Sequence, residues 1–317
     1  MGIEILFFRK SLNFGQVLST VNDKPSSDNL KSYNLHPTIY NLAQLFRGLA
    51  VQAKLDLLFL TRSFREFMVY MISDTVTNFA NVSGTLLLSA KFNGIGRWNT
   101  TQIVFMLSYA LVVGGIMETL FNYNISHISR RIGRGQLDHS LIQPRPLWVS
   151  LFTEGFMPFY AFMTLMPSLA LFVWAVANSG INLSISWIFF LLLNLFGSVL
   201  LTMSFSYLWG SLAFWAQREA EEICSPLMGM FVELRPFPLD GLASHILGTL
   251  VLLFPVGMTA WYPARALLGL DKNPMALFMT PFVALAFALC ATFVFLKGYA
   301  HYLKTGSGRY VSSGHRR

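Results

Sequence analysis

Long apolar stretches dominate the chain from about residue 67 onward. Because an α-helix rises ~1.5 Å per residue, about 20 apolar residues are enough to cross the hydrocarbon core of a bilayer. Six stretches reach that length, and they lie near 67–90, 102–125, 149–176, 185–214, 243–262 and 276–297. The pattern therefore predicts an all-α membrane protein with six transmembrane helices, within a membrane domain that covers 38–300.

A different periodicity precedes the first apolar stretch. Between 38 and 65, apolar residues such as Leu42, Leu45 and Leu49 recur at the spacing of one helix face, with polar and cationic residues mostly between them. A helix of this kind is typical of the membrane interface, where its cations meet the lipid headgroups. A soluble core helix is the alternative. The polar composition of 1–37 predicts a flexible cytoplasmic tail.

The chain between the fourth and fifth stretches is ambiguous. Ile223 to Leu234 is apolar enough to touch a membrane but too short to cross it, and Arg235, Pro236 and Pro238 stop any helix there. The first interpretation is a short interfacial helix on the inner side. A re-entrant segment is the alternative.

Basic residues set the expected orientation. Cytoplasmic loops of membrane proteins carry an excess of Lys and Arg. With the N-terminus inside, all but four of the 23 basic residues lie on the inner side. The inner segments in this arrangement are 1–66, 126–148, 215–242 and the chain from Lys297. We therefore expect a multi-pass protein of the inner (plasma) membrane with both termini cytoplasmic, including a basic tail at 301–317.

Composition narrows the function classes. The 317 residues are 54% hydrophobic and 12% charged, whereas a soluble domain carries about 25% charged residues. The net charge is +8, but the basic residues lie between apolar runs, so membrane lipid is the expected partner rather than nucleic acid. The two cysteines show neither CxxC spacing nor a nearby His cluster, so no metal site is expected.

No pattern for catalysis is present in the sequence. HExxH for zinc, the GxSxG nucleophile turn and the GxxxxGK[ST] phosphate loop are all missing. We therefore expect a non-catalytic chain without catalytic residues, and any ATP hydrolysis must occur on a separate chain. Asp138–His139 is the densest polar pair, and packing of its loop is the preferred interpretation over acid–base chemistry.

Polar residues inside the predicted spans are candidates for a substrate path, because ionisable groups are costly in the bilayer core. The candidates are Asp74, Asn78, Glu118 and Glu154. The three acidic residues lie near the predicted cytoplasmic ends of their helices, so pairing with Arg62, Arg65 or Arg130 is the alternative. For the asparagine, the alternative is a hydrogen bond between packed helices.

The loop between the second and third stretches carries the most specific motif. Gly133 to Asp138 reads GRGQLD, and Leu141 and Pro144 follow at fixed spacing. This loop resembles the R-x-G-x-L-D-x-x-L-x-x-P loop in one branch of the ABC-2 class of ABC transporter permeases, with Gly133 at the position of the arginine and Arg134 next to it. Phe237–Asp240, Phe254–Val256 and Tyr262–Gly269 resemble the same branch. The resemblance extends over about 40–300.

The resemblance implies six spans, an N-terminal interfacial elbow helix and a cytoplasmic coupling helix between spans two and three. In such permeases the coupling helix docks on an ATPase subunit, and two identical or homologous permease chains pair around the path. ATP and Mg²⁺ then bind to the partner ATPase, and this chain holds no cofactor. The coupling residues expected on this basis are Arg130, Arg131, Arg134, Gly135, Asp138, His139 and Pro144.

Individual roles follow for some of these residues. Gly133 and Gly135 allow tight turns. Asp138 is expected to cap the following helix or to accept a hydrogen bond from Arg134. The arginines offer positive charge to acidic groups of the ATPase or to lipid headgroups.

Three functions remain open at this point. The first is the permease subunit of an ATP-driven exporter. The second is an ion-coupled transporter or channel that acts alone and depends on Asp74, Glu118 or Glu154. The third is a membrane scaffold that transports nothing. A path lined with Phe and Met suits lipophilic or cationic drugs, lipids and peptides equally well.

Overall fold

The computed structural model describes residues 37–306 except 92–97, 127, 144–145, 241 and 272. The chain divides into two compact units, 1–46 and 47–317. Of the first unit only the beginning of one helix is described, so the predicted tail at 1–37 lies almost wholly outside the described residues. The predicted tail at 301–317 is described as far as residue 306.

The described residues form α-helices joined by short turns. Their bounds are α1 Pro37–Arg62, α2 Phe64–Lys91, α3 Thr100–Ser126, α4 Ile128–Gly133, α5 Gln136–Leu141, α6 Leu147–Thr153, α7 Pro158–Asn178, α8 Ile185–Gly210, α9 Gln217–Leu234, α10 Ser244–Gly248, α11 Trp261–Leu267 and α12 Ala276–Thr305. The chain also forms 3₁₀-helical turns at Ser211–Phe214 and Pro255–Met258 and a π-helical turn at Thr249–Leu253. A helix at α1 agrees with the amphipathic periodicity, and its interfacial position stays a prediction.

Four of the described helices are long and apolar enough to cross a membrane. They are Thr100–Phe121, Pro158–Asn178, Ile185–Phe214 and Ala276–Thr305, and a bent pair of helices over 244–267 adds a fifth candidate if it forms one span. The all-α membrane class is thereby confirmed. α2 has 28 residues but falls outside this apolar set, so the count of six spans stays a prediction.

α3 forms the centre of the bundle. Its side chains from Ile103 to Leu107 are almost fully buried, as expected for a helix that is apolar on all faces. α7 packs against α3, and α8 packs against α12. The α8–α12 approach is close, because a Cβ on Gly197 would lie 3.1 Å from the backbone nitrogen of Pro281. α7 and α12 are less buried and present apolar side chains outward, as expected for contact with lipid.

The predicted single helix at 149–176 is wrong, because the chain breaks between Thr153 and Pro158 to give α6 and α7. A proline lacks the N–H for an internal helical bond and clashes with the preceding turn, so it favours the first position of a new helix. Asp56 of α1 then provides a hydrogen-bond acceptor for the free N–H groups at the start of α7. Its buried carboxylate accepts hydrogen bonds from the backbone N–H groups of Phe159 at 2.7 Å and Tyr160 at 3.1 Å.

α9 packs lengthwise along the central helix α3 rather than lying at one end of the bundle. It starts beside α4, where Arg130 donates a hydrogen bond to Glu221 at 2.7 Å. At its other end, a guanidinium nitrogen of Arg235 lies 3.2 Å from the Cβ position of Gly114, about halfway along α3. The polypeptide therefore runs antiparallel to α3 over this distance.

The chain beyond α9 continues to the opposite end of α3. There the indole N–H of Trp98, just before α3 begins, donates a hydrogen bond to Asp240. The interpretation of 223–242 as a short interfacial helix on the inner side is therefore wrong, because this part of the chain extends along α3 to its opposite end. Polar residues on α9 concealed this from the hydropathy pattern.

The predicted span at 243–262 is also wrong as a straight helix. The structure bends the pair Ser244–Leu253 and Pro255–Leu267 by 70°. The second half returns to the level of Asp240, whose carboxylate accepts hydrogen bonds from Trp261 at 2.5 Å and Arg265 at 2.9 Å. Since the segment begins and ends at the same end of α3, it has the shape of a re-entrant pair.

Candidate functional site

The segment that joins α3 to α6 consists of the two short helices α4 and α5, and Gly135 makes the turn between them. Its φ angle is 66°, in the left-handed region that glycine adopts without steric strain. Its N–H donates to the carbonyl of Ile132 at 3.1 Å. The role expected for Gly135, a tight turn, is thereby confirmed.

An apolar cluster anchors this segment to the bundle. Ile128, Ile132 and Leu137 are buried against side chains of the α8 end, α9 and α12. The approach to α8 is tight, because a Cβ on Gly210 would lie 2.2 Å from a methyl carbon of Ile128. The α4–α5 segment is therefore a packed part of the structure rather than a solvated linker.

Arg131 faces inward. It is 5% exposed and donates hydrogen bonds to the carboxylate of Glu154 and, at 3.3 Å, to the hydroxyl of Ser140. Glu154 follows α6 directly, so this ion pair links α4 to the break between α6 and α7. The structure thus places Arg131 inside the protein rather than on a surface for an ATPase. Its ion pair with Glu154 was not expected from the sequence.

Arg130 and Arg134 share one acidic partner on α9. Arg130 donates to Glu221 at 2.7 Å, and the more exposed Arg134 donates to the same oxygen at 3.3 Å. Two guanidinium groups of the α4–α5 segment therefore compensate one carboxylate near the start of α9.

Asp138 binds the C-terminal part of α12. Its carboxylate accepts a hydrogen bond of 2.6 Å from the hydroxyl of Tyr302, and α5 has no side-chain cap. The expectation that Asp138 caps the following helix or accepts from Arg134 is therefore wrong, since α6 begins without a side-chain cap and Arg134 donates to Glu221 instead. The side chain of His139, on α5, is exposed. Pro144 lies outside the described residues.

Replacing Tyr302 by Phe removes the hydrogen bond to Asp138 while the ring can still pack on Phe214. We expect a loss of about 0.5–1.5 kcal/mol of stability, measured as a lower midpoint of thermal aggregation in detergent. Tyr299→Phe, on a ring that stacks on Phe295 one turn earlier, is the matched control. Equal effects of the two substitutions would contradict a specific role of the Asp138 bond.

Several residues of this site were missed from the sequence. Ile142, which directly follows α5, is 80% exposed, and Arg134 and His139 of the same segment are exposed as well. Nothing in the sequence marks Ile142 as exposed, because an isoleucine next to a membrane span is expected to be buried. Glu221 and Tyr302 were missed because their partners lie more than 80 residues away.

Glu118 lines a second feature, a cavity of about 690 Å³ between α2, α3, α7 and α9. Arg235 also lines this cavity, is 6% exposed and interacts electrostatically with Glu118. Asp74 and Asn78 belong to α2, but their side chains lie outside what the structure describes. Among the described residues, no group of three or more His, Cys, Asp or Glu side chains is arranged to hold a metal ion.

The comparison with protein families is decisive for the class. A family model described as ABC-2 family transporter protein matches residues 75–306, which include both the α4–α5 segment and the cavity. The chain belongs to the ABC-2 family of transporters. It matches no curated protein and no solved structure.

Membership of the ABC-2 family makes this chain a multi-pass permease subunit of an ABC transporter. Permeases of this family are generally non-catalytic membrane subunits that work with an ABC ATPase. The assignment to the branch with an R-x-G-x-L-D loop stays a prediction.

Proposed function

We propose that this ABC-2 permease forms the path of an ATP-driven exporter as a dimer with an identical or homologous permease chain. A separate ATPase, which binds ATP and Mg²⁺, docks on the α4–α5 segment. In this arrangement the α4–α5 end of the bundle faces the cytoplasm, and both termini lie on that side of the inner (plasma) membrane. The observation that supports the proposal is the exposed surface of Arg134, His139 and Ile142 on an otherwise anchored segment.

The contacts behind this surface offer a way to transmit movement. The α4–α5 segment binds the α6–α7 break through Glu154, α9 through Glu221, and α12 through Tyr302. A displacement of the segment by the ATPase therefore acts on three helices at once. α9 also lines the cavity, which is part of the proposed path. When the ATPase closes, a movement of the α4–α5 segment is therefore transmitted through α9 to the cavity.

The proposed topology has six crossings, which keep both termini on one side. The crossings are α2, α3, α6–α7, α8, the segment 217–240 and α12. The bent pair at 244–267 then lies on the outer side as a re-entrant element, and α1 is the interfacial elbow helix. α9 is amphipathic, and polar residues in a membrane helix face the bundle interior or a water-filled path, which explains its low apolar content.

Ile142→Asp tests the docking surface. A large apolar side chain at the centre of an interface contributes about 2 kcal/mol or more to binding, so we expect at least tenfold weaker association with the ATPase. Association is measured by co-purification of the ATPase from native membranes and by nucleotide hydrolysis of the complex. Ile185→Asp, on an isoleucine that is 89% exposed at the start of α8, is the matched control and should leave association intact.

Two results would contradict the proposal. One is a complex that keeps the ATPase and its activity after Ile142→Asp and after a further Arg134→Glu substitution. The other is transport by the purified chain in liposomes, driven by a proton gradient without nucleotide. The second result would favour an ion-coupled transporter acting alone, for which Glu118 in the cavity is the candidate charged site.

A further inference from the structure

The buried side chain of Arg235 lines the cavity between α2, α3, α7 and α9. Arg235 is 6% exposed, and its Nε has no hydrogen-bond partner. A buried donor without a partner is destabilising, and a buried charge requires compensation. Glu118 lines the same cavity and interacts electrostatically with Arg235, and Glu233 adds a second carboxylate to its wall. The side chains therefore offer one cationic and two anionic groups to an occupant.

An apolar pocket of about 210 Å³ adjoins this charged cavity. The two share Leu111 and Thr164 in their walls, and the smaller one is otherwise lined mainly by side chains such as Phe79, Met163 and Leu171. A charged compartment and an apolar compartment thus lie side by side between α2, α3 and α7. The larger compartment, at about 690 Å³, is within the range of about 300–1,000 Å³ that accommodates a small ligand, and the smaller one extends it.

We propose that the two compartments together bind the transported cargo, an amphiphile with a zwitterionic headgroup. The anionic group of the headgroup accepts a hydrogen bond from Arg235, and its cationic group faces Glu118 and Glu233. The apolar chain occupies the pocket beside Phe79 and Met163. This inference rests on the proposed transport function and adds the chemical class of the cargo.

The charge pattern favours a zwitterion over the simpler headgroups. A purely anionic headgroup near Arg235 would also face the two carboxylates. A purely cationic headgroup would leave the Nε of Arg235 without an acceptor and would lie close to its positive charge. Only a headgroup that carries both a negative and a positive charge compensates Arg235 as well as the two carboxylates. Such compensation is required because charges buried in a medium of low dielectric constant are destabilising unless they are paired.

Binding is tested on the full-length chain in dodecyl maltoside, with three probes that share one dodecyl chain. The zwitterionic probe is dodecyldimethylglycine, the anionic probe is dodecanoate and the cationic probe is dodecyltrimethylammonium. We expect the zwitterionic probe to bind at least tenfold more tightly than either of the others, as measured by tryptophan fluorescence titration. Arg235→Gln should abolish this preference and shift it toward the cationic probe.

A second variant keeps the test informative if Arg235→Gln does not fold. A Cβ on Gly229, which lines the charged cavity, meets no atom within 4 Å. Gly229→Leu therefore fills the cavity without a backbone clash, and we expect at least tenfold weaker binding of the zwitterionic probe. Gly84→Leu introduces the same side chain at an equally open position of α2 outside both walls, and it should bind as the original chain does.

Equal binding of the three probes, or unchanged affinity after Gly229→Leu, would overturn the inference. The outcome can be separated from that of the proposed function. A chain that co-purifies with an ATPase but shows no headgroup preference keeps the proposed function and loses this inference. A chain that selects the zwitterionic probe but binds no ATPase keeps the site and contradicts the proposed function.

Discussion

Glu154→Leu is expected to destabilise the permease by about 3–5 kcal/mol, because it removes the carboxylate that compensates the buried Arg131. Arg131 is 5% exposed, so its charge cannot be solvated by a small rearrangement. A loss of this size corresponds to a drop of the melting temperature on the order of 10 °C. The measurement is thermal unfolding in detergent, followed by size-exclusion chromatography of the fluorescently tagged chain.

The double substitution Arg131→Met with Glu154→Leu isolates the cause. Replacing both partners of a buried ion pair by apolar side chains is much less destabilising than removing one of them. We therefore expect the double variant to recover most of the lost stability. Glu221→Leu removes the acidic partner of the more exposed Arg130 and Arg134, and it should cost no more than about 1 kcal/mol. A double variant as unstable as Glu154→Leu would show that the ion pair is not the cause.

Gly155→Ala is expected to have the second largest effect, a loss of about 1–3 kcal/mol. The added Cβ would lie 2.9 Å from the carbonyl carbon of Phe121 and 3.0 Å from its Cα and oxygen. These are backbone atoms, so no change of rotamer relieves the overlap, and the α6–α7 break must move away from α3. We expect a lower melting temperature and weaker coupling to nucleotide hydrolysis, because Glu154 moves with the break.

The same substitution elsewhere supplies the control. A Cβ on Gly84 meets no atom within 4 Å, and alanine is a better helix former than glycine by about 1 kcal/mol. Gly84→Ala should therefore be neutral or stabilising in the same assay. If both alanine variants melted together, the close approach of Gly155 to α3 would not exist in solution.

The α4–α5 segment shows how far the sequence specifies the candidate site. The position of the loop after α3 followed from hydropathy, and a tight turn was expected at Gly135 because glycine allows one. The partners of the charged residues did not follow. Arg131 and Arg134 lie three positions apart on one short segment, yet the first is buried against Glu154 and the second reaches Glu221 near the surface.

The sequence by itself determined the helical membrane class, the amphipathic helix before the first span and the short segment between α3 and α6. All three depend on the local spacing of apolar residues, which can be counted along one sequence. The tertiary structure alone decided that α9 runs along α3, that 244–267 bends back on itself and that Glu118 and Arg235 line one cavity. Hydropathy measures the transfer of a whole segment into lipid, but only one side of α9 is apolar. The buried residues of that side, such as Cys224, Met228 and Phe231, pack on the bundle, and only the packed fold determines which helices they contact.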